Sequence, residues 1–583
     1  MRAARIPPNS RRANPLLRQD LQRWRMRLVL ACLLGGFLAL GARAVWLQIG
    51  QTEFLNEQGD KRVNRVVAIP AHRGMITDRR GEPLAISTPV ESLWVDPRHA
   101  EASPAQIQAL ASLLNLDPDA LARTFADARR SFVYLRRQLP PDLAARALAL
   151  GIPGLHSIPE YRRYYPAGEV IAQLVGITSA EDKGQEGLEL AFESWLAGVP
   201  GTKRVVRDRL GNIIEELDLL REPKHGRDLT LSINLQMQYL AWRELAAALA
   251  EHQAKAGAVV VLDARSGEIL ALSSLPAYNP NNRASLRPER MRNRAVTDVF
   301  EPGSTMKPFL VASALEAGAV RPDVTIDTGP GYMMVGNKRI SDVHPKGVLT
   351  LAQAIQVSSN VATAKIALDM KSEDYWRLLN RAGFGAPPGV GFPGEVGGRL
   401  RPYETWRPIE KATMAFGHGM STTLLHLARA YTTFANGGVM PELTVLKRQE
   451  VASGRRVMSR ETAESLLAML ETVTEPGGTA PRARVMGYRV GGKTGTAHKL
   501  VDGRYAPDKY IASFVGLAPV SDPRLVVAVM IDEPGGKVYY GGQVAAPVFA
   551  KVMAGALRFM ALPPDAPIED VPPPPLEVVG EMV

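Results

Sequence analysis

The longest apolar run of the chain lies near its start, between residues 28 and 49. Residues 28–42 are all apolar or glycine, and the run resumes after Arg43. A helix of this length rises about 33 Å, which is enough to cross the hydrocarbon core of a bilayer. Trp24 and Trp46 suit the two membrane interfaces. The pattern predicts one transmembrane helix over residues 28–49.

The residues before this run carry most of the basic excess. The whole chain has a formal net charge of +11, and residues 1–27 contain eight arginines but one acid, Asp20. A basic flank stays in the cytoplasm, so we expect 1–27 to be a cytoplasmic tail and the bulk of the chain to lie across the membrane. A cleaved signal peptide, cut near Ala44, is the alternative. Its basic region would be unusually long, so an uncleaved anchor is favoured, and no nucleic-acid partner is expected.

The pattern of polar and apolar residues after the anchor changes near residue 225. Residues 50–225 are mixed, with short strand-like stretches at Val63–Ile69 and Ser92–Val95 and a helical pattern around Leu110. The polar stretch 221–228 contains Pro and Gly and predicts an interdomain linker. We therefore expect a separate module over residues 50–225.

A second domain is predicted over residues 226–562. Leu229, Leu231 and Ile233 alternate as in a strand, and a helical pattern follows from about Leu235 to Lys255. Two strand pairs then frame a long helical middle: Ala256–Asp263 with Glu268–Ser274, and Tyr510–Pro519 with Leu525–Asp532. The expected fold class is α+β, with one antiparallel sheet built from both ends of the domain and helices packed on it. Residues 563–583 hold many prolines and predict an unpacked tail.

Candidate chemistry begins at Ser304. The sequence from Glu301 to Pro308 is EPGSTMKP, and Pro308 is tolerated only in the first turn of a helix. Ser304 then lies at the helix start, with Lys307 one turn further on the same face. A serine needs a nearby base to act as a nucleophile, and a lysine in a desolvated cleft can serve.

Two further motifs follow in order. Ser358-Ser359-Asn360 offers a hydroxyl and an amide, and Lys493-Thr494-Gly495-Thr496 offers a cation and hydroxyls that can hold a carboxylate. Gly495 would allow the backbone to approach a ligand closely. This order of motifs marks penicillin-binding proteins and class A β-lactamases. A single cysteine, Cys32, excludes a cysteine-based zinc cluster, and we expect neither a metal nor a cofactor.

The chain resembles the class B penicillin-binding proteins, and in particular division-specific peptidoglycan D,D-transpeptidases of the FtsI type. Outside the catalytic motifs, the resemblance rests on segments 73–79, 162–166 and 184–189, which are similar to the non-catalytic pedestal module of that family, and on Val299–Lys307 and Tyr539–Phe549. The resemblance implies a transmembrane helix, a pedestal over 50–225 and a penicillin-binding domain over 226–562. In the pedestal, we expect Arg73, Asp78 and Arg79 to tie a hairpin through ion pairs.

The resemblance also implies a role for each site residue. Ser304 is the expected nucleophile on stem peptides that end in D-Ala-D-Ala and on β-lactams, and Lys307 is the expected base. The other expected residues are Ser358 for proton relay, Asn360 for the substrate amide, Lys493, Thr494, Gly495 and Thr496 for the terminal carboxylate, and the N–H groups of Ser304 and Thr496 for the oxyanion hole. Expected partners are lipid-linked precursor strands and an FtsW-type glycosyltransferase at the division site of the bacterial inner membrane.

Several alternatives remain beside this interpretation. Residues 487–494 match a P-loop and Leu525–Asp532 imitates a Walker B strand, but no helical pattern follows Thr494. An elongation-specific relative, or a non-catalytic β-lactam sensor or division scaffold, would share most of the motifs. D,D-carboxypeptidase side activity is also possible. The segment Thr423-Leu-Leu-His426 departs from the Thr-Pro-Leu-Gln usual in the family, and we expect it to be structural.

Overall fold

The computed structural model describes residues 23–50, 64–207, 213–450, 453–501 and 503–567. The strands within them are β1 (Asn64–Ile69), β2 (Ile76–Thr77), β3 (Pro83–Val95), β4 (Val133–Leu139), β5 (Leu155–Tyr164), β6 (Gly201–Arg207), β7 (Ile213–Arg221), β8 (Leu229–Thr230), β9 (Ala256–Asp263), β10 (Ile269–Leu275), β11 (Thr325–Asp327), β12 (Tyr332–Val335), β13 (Lys338–Ser341), β14 (Val348–Thr350), β15 (Val439–Pro441), β16 (Gly454–Arg456), β17 (Gly491–Val501), β18 (Arg504–Ala518) and β19 (Leu525–Asp532).

The α-helices are α1 (Arg23–Val45), α2 (Pro104–Leu114), α3 (Pro118–Ala126), α4 (Pro141–Leu148), α5 (Ala172–Val175), α6 (Gly187–Ala191), α7 (Glu193–Leu196), α8 (Leu235–Glu251), α9 (Pro288–Met291), α10 (Arg294–Thr297), α11 (Lys307–Glu316), α12 (Leu351–Gln356), α13 (Asn360–Asp369), α14 (Ser372–Arg381), α15 (Pro408–Met414), α16 (Leu424–Ala435), α17 (Arg460–Thr472), α18 (Gly541–Val544) and α19 (Ala546–Phe559). Most of the predicted cytoplasmic tail and of the proline-rich tail lies outside the described residues.

The apolar run near the start forms α1 and a π-helical turn, Trp46–Gly50. The helix begins five residues earlier than predicted, at Arg23. From Arg23 to Ile49 it is the one helix among the described residues that is long and apolar enough to cross a membrane, and the apolar part is not buried against the rest of the chain. Such an exposed apolar surface fits a membrane-spanning segment.

The main sheet has the antiparallel strand order β10-β9-β19-β18-β17. The two predicted strand pairs both form, so the sheet is built from the two ends of the domain as expected. Every residue of β9 and of β19 is buried, which explains their nearly continuous apolar sequences. Helices α8 and α19 pack against the sheet, as does α16. Strand β17 is an edge strand, so one row of its backbone groups faces away from the sheet.

The predicted linker 221–228 is a packed junction. The N–H of Gly226 donates to the carbonyl of His72 at 2.8 Å, and that of Arg227 donates to Trp195 at 3.1 Å. Immediately afterwards, β8 pairs in parallel with β2. Strand β8 has two residues, so the predicted alternation through Ile233 overestimated its length. The boundary between the predicted domains therefore lies in hydrogen-bonded backbone, and the exact boundaries stay a prediction.

The hairpin of the pedestal forms, but its ion pairs run to other segments. Asp78 holds the turn between β2 and β3 by accepting backbone N–H groups. Arg73 pairs with Glu189 at 2.7 Å, and Arg79 reaches Glu268 of the second domain at 3.1 Å. The expectation of ion pairs within the hairpin was therefore wrong, because the carboxylates that these arginines meet come from segments distant in sequence.

Candidate active site

Ser304 lies in a single 3-10 turn, Gly303–Met306, that leads directly into α11. Pro308 falls in the first turn of that helix, as predicted. Ser304 is buried, and its Oγ has no hydrogen-bond partner among the described residues. The hydroxyl of Tyr431 donates to the carbonyl of Thr305 at 2.7 Å and holds the turn from the α16 side. The candidate nucleophile therefore sits in a fixed backbone with its hydroxyl unengaged.

Lys307, three residues after Ser304, is fully buried and contacts the second motif. Its Nζ donates to Asn360 Oδ1 at 2.7 Å, to Ser358 Oγ at 3.0 Å and to the Ser358 carbonyl. All three acceptors are uncharged oxygens. The structure thus joins three of the predicted site residues through direct hydrogen bonds, and the side chain of Lys307 is oriented by them.

Asp342 orients this second motif and was missed by the sequence analysis. Its carboxylate accepts from Ser359 Oγ at 2.7 Å and from the N–H groups of Asn360 and Val361 at 2.6 and 2.9 Å. A carboxylate at a helix N-terminus satisfies backbone donors that the helix leaves unpaired. Asp342 lies 18 residues before Asn360, so no local motif relates it to the start of α13.

The amide of Asn360 is oriented on both sides. Its Nδ2 donates to the carbonyl of Ser341 at 3.0 Å, while Oδ1 accepts from Lys307. An asparagine amide has two donor hydrogens and two acceptor lone pairs, so one of each stays available for a ligand.

Strand β17 lies against the turn that carries Ser304. A side chain placed on Gly303 would lie 3.7 Å from Thr496 N and 3.6 Å from Thr496 O, so the backbone of Thr496 lies beside this turn. A side chain placed on Gly495 would lie 2.5 Å from Ser513 Oγ and 2.9 Å from the Pro302 carbonyl. Glycine is therefore required at 495 because the nucleophile turn and β18 come so close, whereas the sequence analysis had assigned this need to a ligand.

The side chains of the third motif are buried and hydrogen-bonded. Lys493 Nζ donates to Thr494 Oγ1 at 3.1 Å, and Thr494 Oγ1 lies 2.9 Å from Thr479 Oγ1. Thr496 Oγ1 accepts from the N–H of Gly541 at 3.0 Å. That contact leaves the Thr496 hydroxyl proton free to be donated to a ligand oxygen. The motif therefore presents oriented donors along one edge strand.

The P-loop alternative is excluded by the same strand. Lys493 and Thr494 lie inside β17, which continues to Val501 and turns into β18. A phosphate-binding loop needs a following helix whose N-terminus meets the phosphates. The Walker B imitation, β19, ends at Asp532, whose carboxylate accepts from Lys499 at 2.6 Å.

A cluster of Glu301, His418 and Tyr505 lies beside the nucleophile turn and was not predicted. The Tyr505 hydroxyl contacts the two Glu301 oxygens at 2.9 and 3.1 Å, and the N–H of Gly419 donates to Glu301 at 3.0 Å. Burial raises the pKa of Glu301, and these donors act in the opposite direction. Burial also lowers the pKa of His418 to about 4, with smaller contributions from His498 and Lys307.

The segment 423–426, which departs from the usual family sequence, is buried in the core. Thr423 caps α16 by accepting the N–H of His426 at 3.2 Å. The His426 ring is buried and stacks on Phe384 with ring centroids 5.1 Å apart. Burial lowers the pKa of His426 to about 4, so the ring is neutral at pH 7. These contacts agree with the expectation that this segment supports the core.

The chain matches two protein-family domains and is similar to known proteins along most of its length. Residues 257–554 match the penicillin binding protein transpeptidase domain, and residues 68–231 match the penicillin-binding protein dimerisation domain. The chain is 43% identical to a probable peptidoglycan D,D-transpeptidase PenA of Neisseria gonorrhoeae, over 93% of this chain and 94% of that protein. It is 42% identical to the peptidoglycan D,D-transpeptidase FtsI of Escherichia coli K12, over 93% of each chain.

A solved structure extends this likeness to three dimensions. The transpeptidase domain of penicillin-binding protein 3 from Burkholderia pseudomallei is 45% identical and superimposes with a TM-score of 0.54, over 58% of this chain and 98% of that one. Residues 257–554, which match the transpeptidase domain, include all the candidate site residues. This chain therefore belongs to the penicillin-binding protein family with a transpeptidase domain and a dimerisation domain.

Proposed function

We propose that the protein is a serine peptidoglycan D,D-transpeptidase that cross-links stem peptides and is acylated by β-lactams. The observation that carries the proposal is the buried contact of Lys307 with Ser358 and Asn360, one turn from Ser304 and beside strand β17. An unengaged hydroxyl, an oriented lysine and backbone donors on an edge strand are the groups that acyl transfer requires.

In the first half of the reaction, Ser304 Oγ attacks the carbonyl between the two terminal D-alanines. Lys307, in its neutral form, accepts the hydroxyl proton, and Ser358 passes a proton to the departing D-alanine amine. The backbone N–H groups of Ser304 and Thr496 stabilise the negative oxygen of the intermediate. Loss of one such donor costs about 3–4 kcal/mol of barrier.

Substrate recognition is assigned to the edge strand and to Asn360. Lys493, with the hydroxyls of Thr494 and Thr496, binds the terminal carboxylate, while Asn360 binds the amide of the substrate backbone. Gly495 keeps the strand close enough to Ser304 for recognition and attack to occur on the same ligand. The same contacts would hold a β-lactam, whose carboxylate and amide imitate this peptide end.

In the second half, an amine of another stem peptide attacks the acyl-enzyme and releases Ser304. Water competes for the same ester, which gives a D,D-carboxypeptidase side activity. This competition concerns the acceptor and leaves the assignment of Ser304 unchanged.

The proposed location follows from the anchor. The arginine-rich residues before α1 favour a cytoplasmic start, so the catalytic domain is assigned to the outer side of the inner membrane. The relatives named FtsI and the FtsI-type motifs support a role at the division site, with an FtsW-type glycosyltransferase as partner. A reporter fused after Gly50 should be active outside the cytoplasm, and activity on the cytoplasmic side would contradict this topology.

Acylation by labelled penicillin, followed by mass spectrometry of the intact protein and its peptides, tests the assignment. One acyl group should appear on Ser304, and Ser304→Ala should abolish it. Ser521→Ala, in an exposed turn, is the matched control and should be acylated normally. An adduct on Ser358 or Ser359 would contradict the assignment. Release of D-alanine from a stem peptide distinguishes the enzyme from a sensor that is acylated but does not turn over.

A further inference from the structure

Transpeptidation joins two substrates of opposite charge at the reacting ends. The donor peptide ends in a carboxylate, for which Lys493 is the proposed partner, whereas the acceptor brings an amino group that is protonated in water. The buried Lys493 lies on strand β17, which packs against the turn that carries Ser304. An approaching ammonium group therefore needs an anionic contact at the same cleft, because like charges repel strongly where water is excluded.

Glu301 is positioned to supply that contact. It precedes Ser304 by three residues, and 13% of its side chain is exposed. The next glycine, Gly303, adjoins the 417–419 loop so closely that a side chain on Gly417 would lie 2.3 Å from the Gly303 carbonyl. Tyr505, which donates to Glu301, lies on the hairpin that β17 and β18 form beyond Thr496. The carboxylate therefore lies between the nucleophile turn, this loop and the hairpin.

The Glu301 carboxylate has more acceptor positions than its described donors use. Its two oxygens receive the N–H of Gly419 and the hydroxyl of Tyr505, whereas a carboxylate offers about four acceptor positions. His418 Nδ1 lies 3.8 Å from Glu301 Oε2 and stays neutral near pH 7, so it does not cancel the negative charge. Tyr505 is half exposed, which leaves the outer side of the cluster open to solvent.

We infer that Glu301, supported by His418 and Tyr505, is the subsite for the cationic amine of the acceptor. The inference rests on the proposed transpeptidase function and adds the place from which the second substrate attacks. The ammonium group would donate to the free acceptor positions of Glu301. It releases one proton to water, and the neutral amine then attacks the ester carbonyl of Ser304.

The reaction balances without a further reagent. The amine nitrogen forms a bond to the acyl carbon, and the bond between that carbon and Ser304 Oγ breaks. The second proton lost by the nitrogen passes through Lys307 and Ser358 to Ser304 Oγ. The products are an amide cross-link and the regenerated serine.

The test measures how the acyl-enzyme divides between acceptors. The detergent-solubilised full chain is acylated by a D-alanyl thioester, and D-alaninamide or D-lactamide is supplied as acceptor. These two acceptors have nearly the same shape, but only the first carries an ammonium group. The readout is the ratio of acceptor product to hydrolysis product, which is independent of the acylation rate.

Glu301→Gln keeps one acceptor oxygen for Gly419 and Tyr505 but removes the charge. It should lower the D-alaninamide ratio roughly tenfold or more, the factor expected for loss of a charge-assisted hydrogen bond, and leave the D-lactamide ratio within about twofold. Tyr505→Phe keeps the charge and should change the D-alaninamide ratio less than about threefold. Glu464→Gln, on the exposed face of α17, should change neither ratio.

Equal falls in both ratios for Glu301→Gln, or no fall in the D-alaninamide ratio, would overturn the inference. Should Glu301→Gln fail to fold, Tyr505→Lys places a cation beside Glu301 at an exposed position and should produce the same selective loss. No selective loss in that variant would also overturn it. Failure of wild-type Ser304 to be acylated would contradict the proposed function itself, before either acceptor is added.

Discussion

Two buried charge clusters of this protein are built in opposite ways. In the pedestal, Arg73 and Arg163 each donate to a different oxygen of Glu189 at 2.7 Å, and all three side chains are almost completely buried. In the catalytic domain, the equally buried Lys307 donates to uncharged oxygens of Ser358 and Asn360. In the pedestal cluster, the arginines pair directly with a carboxylate. In the catalytic cluster, the lysine is oriented by the dipoles of hydroxyl and amide groups.

The difference indicates what each cluster can do. A cation held by a buried carboxylate is fixed in its charged form, and removal of either partner leaves an uncompensated charge. A lysine that donates to hydroxyl and amide oxygens can lose one proton and keep its other hydrogen bonds. The carboxylate of Asp342, which orients the same motif, accepts from backbone N–H groups and from Ser359. The pedestal cluster is therefore suited to holding segments together, and the catalytic cluster to proton transfer.

The largest expected effect comes from Lys307→Ala. A general base contributes roughly 10²–10⁴-fold in rate, so acylation should fall by that factor for every substrate, whatever its charge. Acylation rates with a penicillin and with a thioester check this prediction. Lys371→Ala, at an exposed lysine just before α14, is the matched control. A loss below about tenfold with both substrates would mean that another group accepts the proton.

Glu189→Gln should act on stability alone. Breaking a buried ion cluster from one side costs about 3–5 kcal/mol, because Arg73 and Arg163 lose their shared anion. Urea unfolding of the solubilised chain measures this loss, and Glu216→Gln, from an exposed ion pair, should shift the free energy by less than about 1 kcal/mol. Acylation per folded molecule should stay within about twofold. A large loss of acylation without a loss of stability would contradict the assignment of a purely structural role to this cluster.

Asp182 offers a test of pH dependence beside the pedestal cluster. Its carbonyl accepts from Arg73, and burial raises the pKa of its carboxyl to about 6. Since the folded chain then binds more protons than the unfolded chain, stability should fall as the pH rises from about 4 to about 6. Asp182→Asn should remove this fall and stabilise the protein by about 3 kcal/mol at pH 7. Asp218→Asn, at an exposed position, is the control, and an unchanged slope in Asp182→Asn would contradict the assignment.

The smallest expected effect, that of Lys493→Ala, depends on whether the substrate carries a terminal carboxylate. Lys493→Ala should cost about 1.5–3 kcal/mol with a substrate that carries the terminal carboxylate, because a charge-assisted hydrogen bond is lost. It should cost much less with an analogue in which that carboxylate is amidated. Acylation rates on this matched pair measure the difference. Equal losses for both analogues would refute the recognition role of Lys493.

Local sequence patterns predicted much of the catalytic domain correctly. The membrane helix, the helix from Leu235 and both strand pairs form, since each depends on the spacing of apolar residues within one element. The short strand β8 and the packed junction after residue 221 were misjudged, because their hydrogen bonds go to other segments, some of them about 150 positions earlier. Polarity in a short segment does not distinguish a linker from backbone that is paired elsewhere.

The sequence by itself identified the candidate site residues. Ser304, Lys307, Ser358, Asn360 and the Lys493–Thr496 strand follow from motif order, since each motif depends on residues a few positions apart. The tertiary structure decided how they meet: Asp342 caps α13 from 18 residues away, and Gly495 is required by the approach of Pro302 and Ser513. It also placed Glu301 against Tyr505, about 200 residues later. Such contacts depend on how the elements pack, and packing leaves no fixed spacing in the chain.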